Sequence, residues 1–213
     1  MSCAGPATAG GSSTVPTGNT YDKYGTSNPV ARRLMVGFER ALWELFERAA
    51  PQTVLDVGCG EGVLTERFAR RRGVRRVVGV DLADAGLAAH WAARSWPGGP
   101  IFEVMAVEQL RFEAAAFDLV CATEVLEHVA DPELALAQMR RVSARWLLLS
   151  VPNEPIWRVA NLARGAYVRQ LGNTPGHVNH WSRRAFVALA RRHGEVVALR
   201  RPFPWTMLLL RVS

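Results

Sequence analysis

With 213 residues, 49% of them hydrophobic and 21% charged, the chain has the size and composition of a globular domain with a full sheet. No apolar run approaches the ~18 residues of a membrane span, which excludes a transmembrane helix from the expected elements. The net charge of +7 has the sign of a nucleic-acid binder, yet Lys23 is the only lysine and the scattered arginines form no stripe interleaved with aromatics. A GC-rich genome explains that balance as well as an RNA partner does, so nucleic acid is not the expected partner.

Residues 1–20 are Gly, Ser, Thr, Ala and Pro with almost nothing to bury, and they read as a flexible tail. The start, Met1-Ser-Cys-Ala-Gly5, lacks the charged and apolar regions of a signal peptide. Residues 21–213 read as one domain. Tyr21 and Tyr24 lead into Ser27-Asn28-Pro29, a helix-start signal, and then into a periodic segment from Val30 to Ala49 with Leu34, Phe38, Leu42, Leu45 and Phe46. A buried β-branched run, Thr53 to Val57, then feeds a turn with glycines at 58, 60 and 62, followed by an apolar-periodic helix. Glycine at these positions permits tight turns and lets a ligand lie on the main chain. The next strand, Arg76 to Asp81, ends in a carboxylate where an open α/β sheet sets an acid against a ribose diol. Cys59 in the turn, with Cys3 and Cys121, makes an odd count without metal-pair spacing, which points to a reducing cytoplasm.

Two ligand classes suit a glycine turn with a ribose acid. A dinucleotide site requires G-x-G-x-x-G, and Val63 stands where the third glycine belongs. Asp56, two residues ahead of Gly58, would also face a pyrophosphate badly. S-adenosylmethionine (SAM) carries a sulfonium and an ammonium but no phosphate, and it tolerates that carboxylate. The segment Val54-Leu-Asp-Val-Gly-Cys-Gly-Glu-Gly62 resembles motif I of the class I SAM-dependent methyltransferases. The resemblance implies an α/β, Rossmann-like fold: seven strands, mostly parallel with an antiparallel last strand, and helices on both faces. It also implies cofactor contacts from Asp56, Gly58, Gly60, Gly62, Asp81, Leu82 and Thr123. Residues 21–50 would then be an N-terminal cover, with Tyr21 near the methyl and Arg33 (or Arg32) on the SAM carboxylate.

The chain continues with a helix around Ala83 to Ser95, a Pro-Gly-Gly-Pro break at 97–100 and a strand from Ile101 to Ala106. Relatives carry an acid near position 106 for the adenine amino group. Here Ala106-Val107-Glu108 stands instead, so either Glu108 takes the role or backbone at Val107 does. Strand Phe117 to Thr123 leads into Glu124-Val-Leu-Glu127-His128-Val-Ala-Asp131-Pro132, a helix to Val142 and strand Arg145 to Val151. Residues 153–180 depart from the alternation, with a short helix expected over Ile156 to Leu171, and read as a substrate cover. A helix, Ser182 to His193, and strands near Glu195 to Arg200 and Trp205 to Val212 complete the sheet.

Glu124-x-x-Glu127-His128 falls at the carboxyl end of a strand, where open α/β sheets bind ligands, and His177 precedes Trp181-Ser182 on a later loop. Two carboxylates and two imidazoles in one cleft would suit a divalent cation such as Mg. The pattern resembles the ubiquinone-type O-methyltransferases and, with His177, the small-RNA 3′-terminal 2′-O-methyltransferases. It implies Glu124, Glu127, His128 and His177 as metal ligands. The alternative is a metal-free site with His128 or His177 as base. The expected activity is methyl transfer from SAM to a small-molecule hydroxyl in secondary metabolism. RNA 2′-O-methylation, N- or C-methylation and a non-catalytic SAM-binding regulator are the other readings. The sequence does not set the oligomeric state.

Overall fold

Leucine- and valine-rich runs alternate with amphipathic helices, and pairing the runs side by side buries both faces of one sheet. The computed structural model describes residues 28–163, 165 and 167–212, so the expected tail and Tyr21 and Tyr24 lie outside the described residues. Strands β1 (Thr53–Val57), β2 (Arg76–Asp81), β3 (Ile101–Val104), β4 (Phe117–Thr123), β5 (Ser143–Pro152), β6 (Glu195–Arg200) and β7 (Trp205–Arg211) are ordered β3-β2-β1-β4-β5-β7-β6. All neighbours pair parallel except β7, which runs antiparallel to both β5 and β6. The expected Rossmann-like sheet is thus the observed one. Strand order reverses between β1 and β4, and that crevice at their carboxyl ends is the switch point where such sheets bind ligands.

Successive side chains of a strand point to opposite faces, and each central strand feeds two cores. Leu55, Val120, Leu147 and Leu208 join one core beneath α4 (Pro132–Val142) and α6 (Arg183–Ala190). Val54, Leu119, Leu148 and Leu209 join the other, beneath α1 (Pro29–Ala49) and α2 (Val63–Ala69). A long α1 forms here because Asn28 Oδ1 accepts from the Val30 and Ala31 amides (2.9 and 3.2 Å), with Pro29 at the first turn. Its Phe38, Ala41, Leu42, Leu45, Phe46 and Ala49 recur at helical spacing and are buried. Truncating Leu42, fully buried, would cost about 2–5 kcal/mol. Asp131 caps α4 in the same manner, accepting from Glu133 and Leu134 amides at 3.1 and 3.0 Å.

The third strand is shorter than expected, ending at Val104; Met105 N still reaches Asp81 O (2.8 Å), and Val107–Gln109 is a 3-10 turn. Between β2 and β3 lies α3 (Ala85–Arg94). The helix expected over 156–171 stops early: α5 covers Ile156–Ala163 and a 3-10 turn covers Val168–Gln170. Gly165 and Gly172 carry φ of 71° and 77°, and a Cβ on Gly172 would lie 2.3 Å from Arg158 O. That close approach folds the segment back on α5, which a continuous helix could not do. An Asn153–Trp181 bridge closes the base of the excursion.

Candidate active site

Strand β1 delivers the glycine turn, and the neighbouring strand holds it. Gly58 N and Cys59 N both donate to Val80 O, at 2.8 and 3.0 Å. Gly60 N donates to Asp81 Oδ2 and Leu82 N to Asp81 Oδ1, each at 2.7 Å, while Trp91 Nε1 donates to Gly60 O at 2.7 Å. All three glycines have positive φ, between 52° and 77°. A Cβ on Gly58 would come within 2.4 Å of Val125, and one on Gly62 within 2.5 Å of the Phe102 ring. The backbone is therefore held as a cradle by its own hydrogen bonds and packing, which lowers the entropic cost of binding a ligand.

Two acids face the space above this cradle. Asp56 is buried and accepts from Thr65 Oγ1 at 2.7 Å. Burial pushes its carboxyl up from 3.8 to about 7, the Thr65 hydroxyl opposing and the Asp81 charge adding. Burial raises Asp81 too, against the lowering hydrogen bonds from the Gly60 and Leu82 amides. Two carboxyls that are costly to ionise alone suit a ligand bringing positive charge and hydroxyl donors. A sulfonium, an ammonium and a ribose diol supply both. The Cys59 thiol is pushed upward by burial and by both acids, so it is no nucleophile at neutral pH.

The polar group at the end of β4 is assembled by two loops. Val178 N and Asn179 N donate to Glu127 O (2.8 and 3.1 Å), and Asn179 Nδ2 donates to the Leu126 and Val129 carbonyls (3.1 and 2.7 Å). His128 Nδ1 lies 2.9 Å from Gly176 O. A carbonyl only accepts, so the neutral His128 ring carries its proton on Nδ1 and its lone pair on Nε2. The His128 and His177 rings meet edge to face at 4.9 Å, and Trp157 stacks on His177 at 6.1 Å. Ligand atoms of Glu127, His128 and His177 lie within 4.8 Å of one another. Glu124, expected with them, points elsewhere: its Oε2 accepts from Trp205 Nε1 at 2.6 Å and its Oε1 from Ser150 Oγ at 3.4 Å. Its φ of 60° is unusual for a non-glycine residue and turns the chain out of β4.

One cavity of about 1010 Å³ takes its wall from Asp56, Gly58, Gly60, Asp81, Leu82, Val107, Glu108 and Thr123, and from Glu124, Glu127, His128 and His177. Every expected site residue that the structure describes thus lines this cavity except Gly62 and Arg33, although Glu124 is turned away from the other three expected metal ligands. Gly62 packs on Phe102 at the start of α2, and Arg33 faces a neighbouring surface hollow. Sequence reasoning missed the aromatic wall of Phe38, Trp157 and Trp205, and the buried Asn161, whose Nδ2 donates to Gly172 O (2.8 Å). Trp157 Nε1 donates to Thr174 Oγ1 at 2.9 Å, which ties α5 to the loop bearing His177. No local pattern announces these residues, because apolar spacing reads the same for a core wall as for a ligand wall.

A family model described as a methyltransferase domain matches residues 30–198. The ubiquinone biosynthesis O-methyltransferase of Hahella chejuensis is 41% identical over 101 residues, 46% of this chain and 42% of that protein. That of Chromobacterium violaceum is 45% identical over 86 residues, 39% of this chain and 36% of that protein. The chain therefore spans about two fifths of the length of these curated relatives. Among solved structures, magnesium protoporphyrin IX methyltransferase from Synechocystis PCC 6803 with bound SAH superposes with a TM-score of 0.64. That likeness covers 89% of this chain and 90% of that one at 20% identity.

Proposed function

This chain belongs to the methyltransferase-domain family of SAM-dependent enzymes, and on that premise we propose that it methylates a hydroxyl of a small-molecule acceptor. The observation that carries the acceptor half of this reading is the meeting of Glu127, His128 and His177 in the cavity that also holds the glycine turn. Bound SAM supplies an electrophilic methyl on a sulfonium. The donor set fits it: Asp81 would accept from the ribose hydroxyls, Asp56 would face its positive charge, and Val107 and Glu108 would border the adenine. His128 Nε2 would take the proton of the acceptor hydroxyl, and Glu127 beside it would face the imidazolium so formed. The remaining acceleration comes from alignment, for which the aromatic wall and the 153–180 cover hold the acceptor.

A divalent ion such as magnesium is a second form of the same reading. Glu127, His128 and His177 offer the mixed oxygen and nitrogen donors that such an ion takes. There it would lower the pKa of the acceptor hydroxyl. Oxygen is favoured over nitrogen or carbon as the methyl acceptor by the O-methyltransferase activity of the Hahella chejuensis relative. We place the reaction in the cytoplasm: Cys59 and Cys121 are free thiols, and no described helix is long and apolar enough to cross a membrane.

The test is a panel of phenols and catechols with methyl-labelled SAM. Acceptor-dependent formation of S-adenosylhomocysteine (SAH), with label on oxygen, is the expected result. SAH binding by calorimetry with no turnover on any acceptor would reduce the protein to a cofactor-binding one.

A further inference from the structure

The cavity does not end at the aromatic wall. A second hollow of about 460 Å³ opens beside it, lined by Pro29, Val30, Arg33, Leu34 and Phe203. Val30, Leu34 and Phe203 line both spaces, so the two lie side by side with these three side chains at their border. Val30 is 67% exposed and Phe203 56% exposed, large apolar groups presented to solvent at the mouth of a ligand cavity. Arg33 lines the second hollow but not the first, and it makes no ion pair among the described residues. Some surface arginines do pair with carboxylates: Arg67 with Glu39, Arg200 with Glu44 and Arg211 with Glu195.

We infer that this shelf is an acceptor subsite for an amphiphile: a hydroxyl at the histidine cluster, an apolar span across Leu34 and Phe203, and an anionic group at Arg33. The inference rests on the methyl-transfer reading for the hydroxyl end, while the shelf itself is argued from its own geometry. An apolar span gains from covering Val30 and Phe203, which otherwise stay wet. A carboxylate or sulfate at the far end matches the planar guanidinium fork. A purely apolar tail would leave the Arg33 charge without an ion pair among the described residues.

The probe is dodecanoate against its neutral amide, titrated calorimetrically into the full chain saturated with SAH. The expected result is tighter binding of the anion by roughly threefold, the scale of an exposed ion pair, shrinking as salt is raised. Arg33→Gln should abolish that preference and Arg33→Glu reverse it, while Phe203→Ala weakens both probes. SAH affinity should be unchanged in all three variants. Equal binding of both probes by wild type, or a preference kept in Arg33→Gln, would overturn the subsite. So would a loss of SAH affinity in Arg33→Gln, which would assign Arg33 to the cofactor. Failure of either probe to bind while SAH binds normally would mean that something else covers the shelf, which also overturns it. A parallel turnover arm compares hydroxyphenyl alkanoates with their amides. Absence of turnover there with anion preference intact would count against the methyl-transfer reading and leave the subsite standing.

Discussion

The indole N–H of Trp205 donates to Glu124 Oε2 at 2.6 Å, joining the start of β7 to the end of β4 across 81 positions of sequence. Phe38 of α1 lies edge-on to the same indole at 5.1 Å and Trp157 of α5 lies 5.8 Å from it. One tryptophan therefore fixes a carboxylate and braces two helices on the cavity wall. Trp205→Phe removes the N–H together with part of the buried ring, so its cost in urea unfolding includes lost packing as well as the bond. The hydrogen bond's share should be about 1.5–3 kcal/mol. In a Glu124→Ala background, where no acceptor remains, the same change should cost less by about that share. Additive losses would show that the pair is not coupled.

Asp81 holds the cradle and faces the cavity, so its replacement must separate the two roles. Asp81→Asn keeps an acceptor for a backbone amide but loses the charge. SAH affinity should fall by about 1.5–3 kcal/mol in calorimetric titration, with the fold intact by circular dichroism. Unchanged affinity would remove Asp81 from the ribose contact.

Asp56 links pH to both stability and binding. Its folded pKa is raised from 3.8 to about 7. A raised folded value means that its stabilising contribution is complete below 3.8 and is lost as pH rises through about 7. The full loss is roughly 4 kcal/mol. Without ligand, Asp56→Asn should therefore be more stable than wild type at about pH 8, and the gain should shrink toward about pH 5. Binding of cationic SAM should show the opposite sign, weakening in the variant. An identical pH dependence of unfolding in both proteins would place the Asp56 titration elsewhere.

For the histidine cluster, His177→Ala should remove most turnover while SAH affinity stays near wild type, because the cofactor lies on the glycine cradle. If an ion is part of the site, chelation should stop turnover, metal return should restore it, and the variant should hold less metal on elemental analysis. Full activity in chelator would leave His128 as a metal-free base.

Gly62 gives a prediction independent of any ligand. With φ of 77° and the Phe102 ring 2.5 Å from a built Cβ, Gly62→Ala should destabilise the fold by about 1–3 kcal/mol or more. Thermal unfolding with and without SAH would read this; an unchanged midpoint would mean that the α2 start relaxes freely.

Much of this was legible locally. The cradle and its acid are written in Val54 to Gly62 and Asp81, because tight turns and close ligand approach restrict residue types within a few positions. The strands were legible because buried parallel strands are continuous apolar runs, and α1 and α4 announced themselves by their caps, Asn28-Pro29 and Asp131-Pro132. Tertiary structure alone decided which polar groups meet. Glu124 and Glu127 stand three residues apart in one motif, yet one is drawn to Trp205 and the other faces two histidines. A left-handed residue at the end of β4 and a partner on β7 separate them. His177 reached the cluster only because Gly172 and the Trp157–Thr174 bond fold its loop back over α5. Arg33, one helical turn into α1, fell outside the cavity because the helix face that buries Phe38 and Leu42 turns it toward Phe203. Contacts between positions distant in sequence depend on how elements pack, and no local pattern encodes that packing.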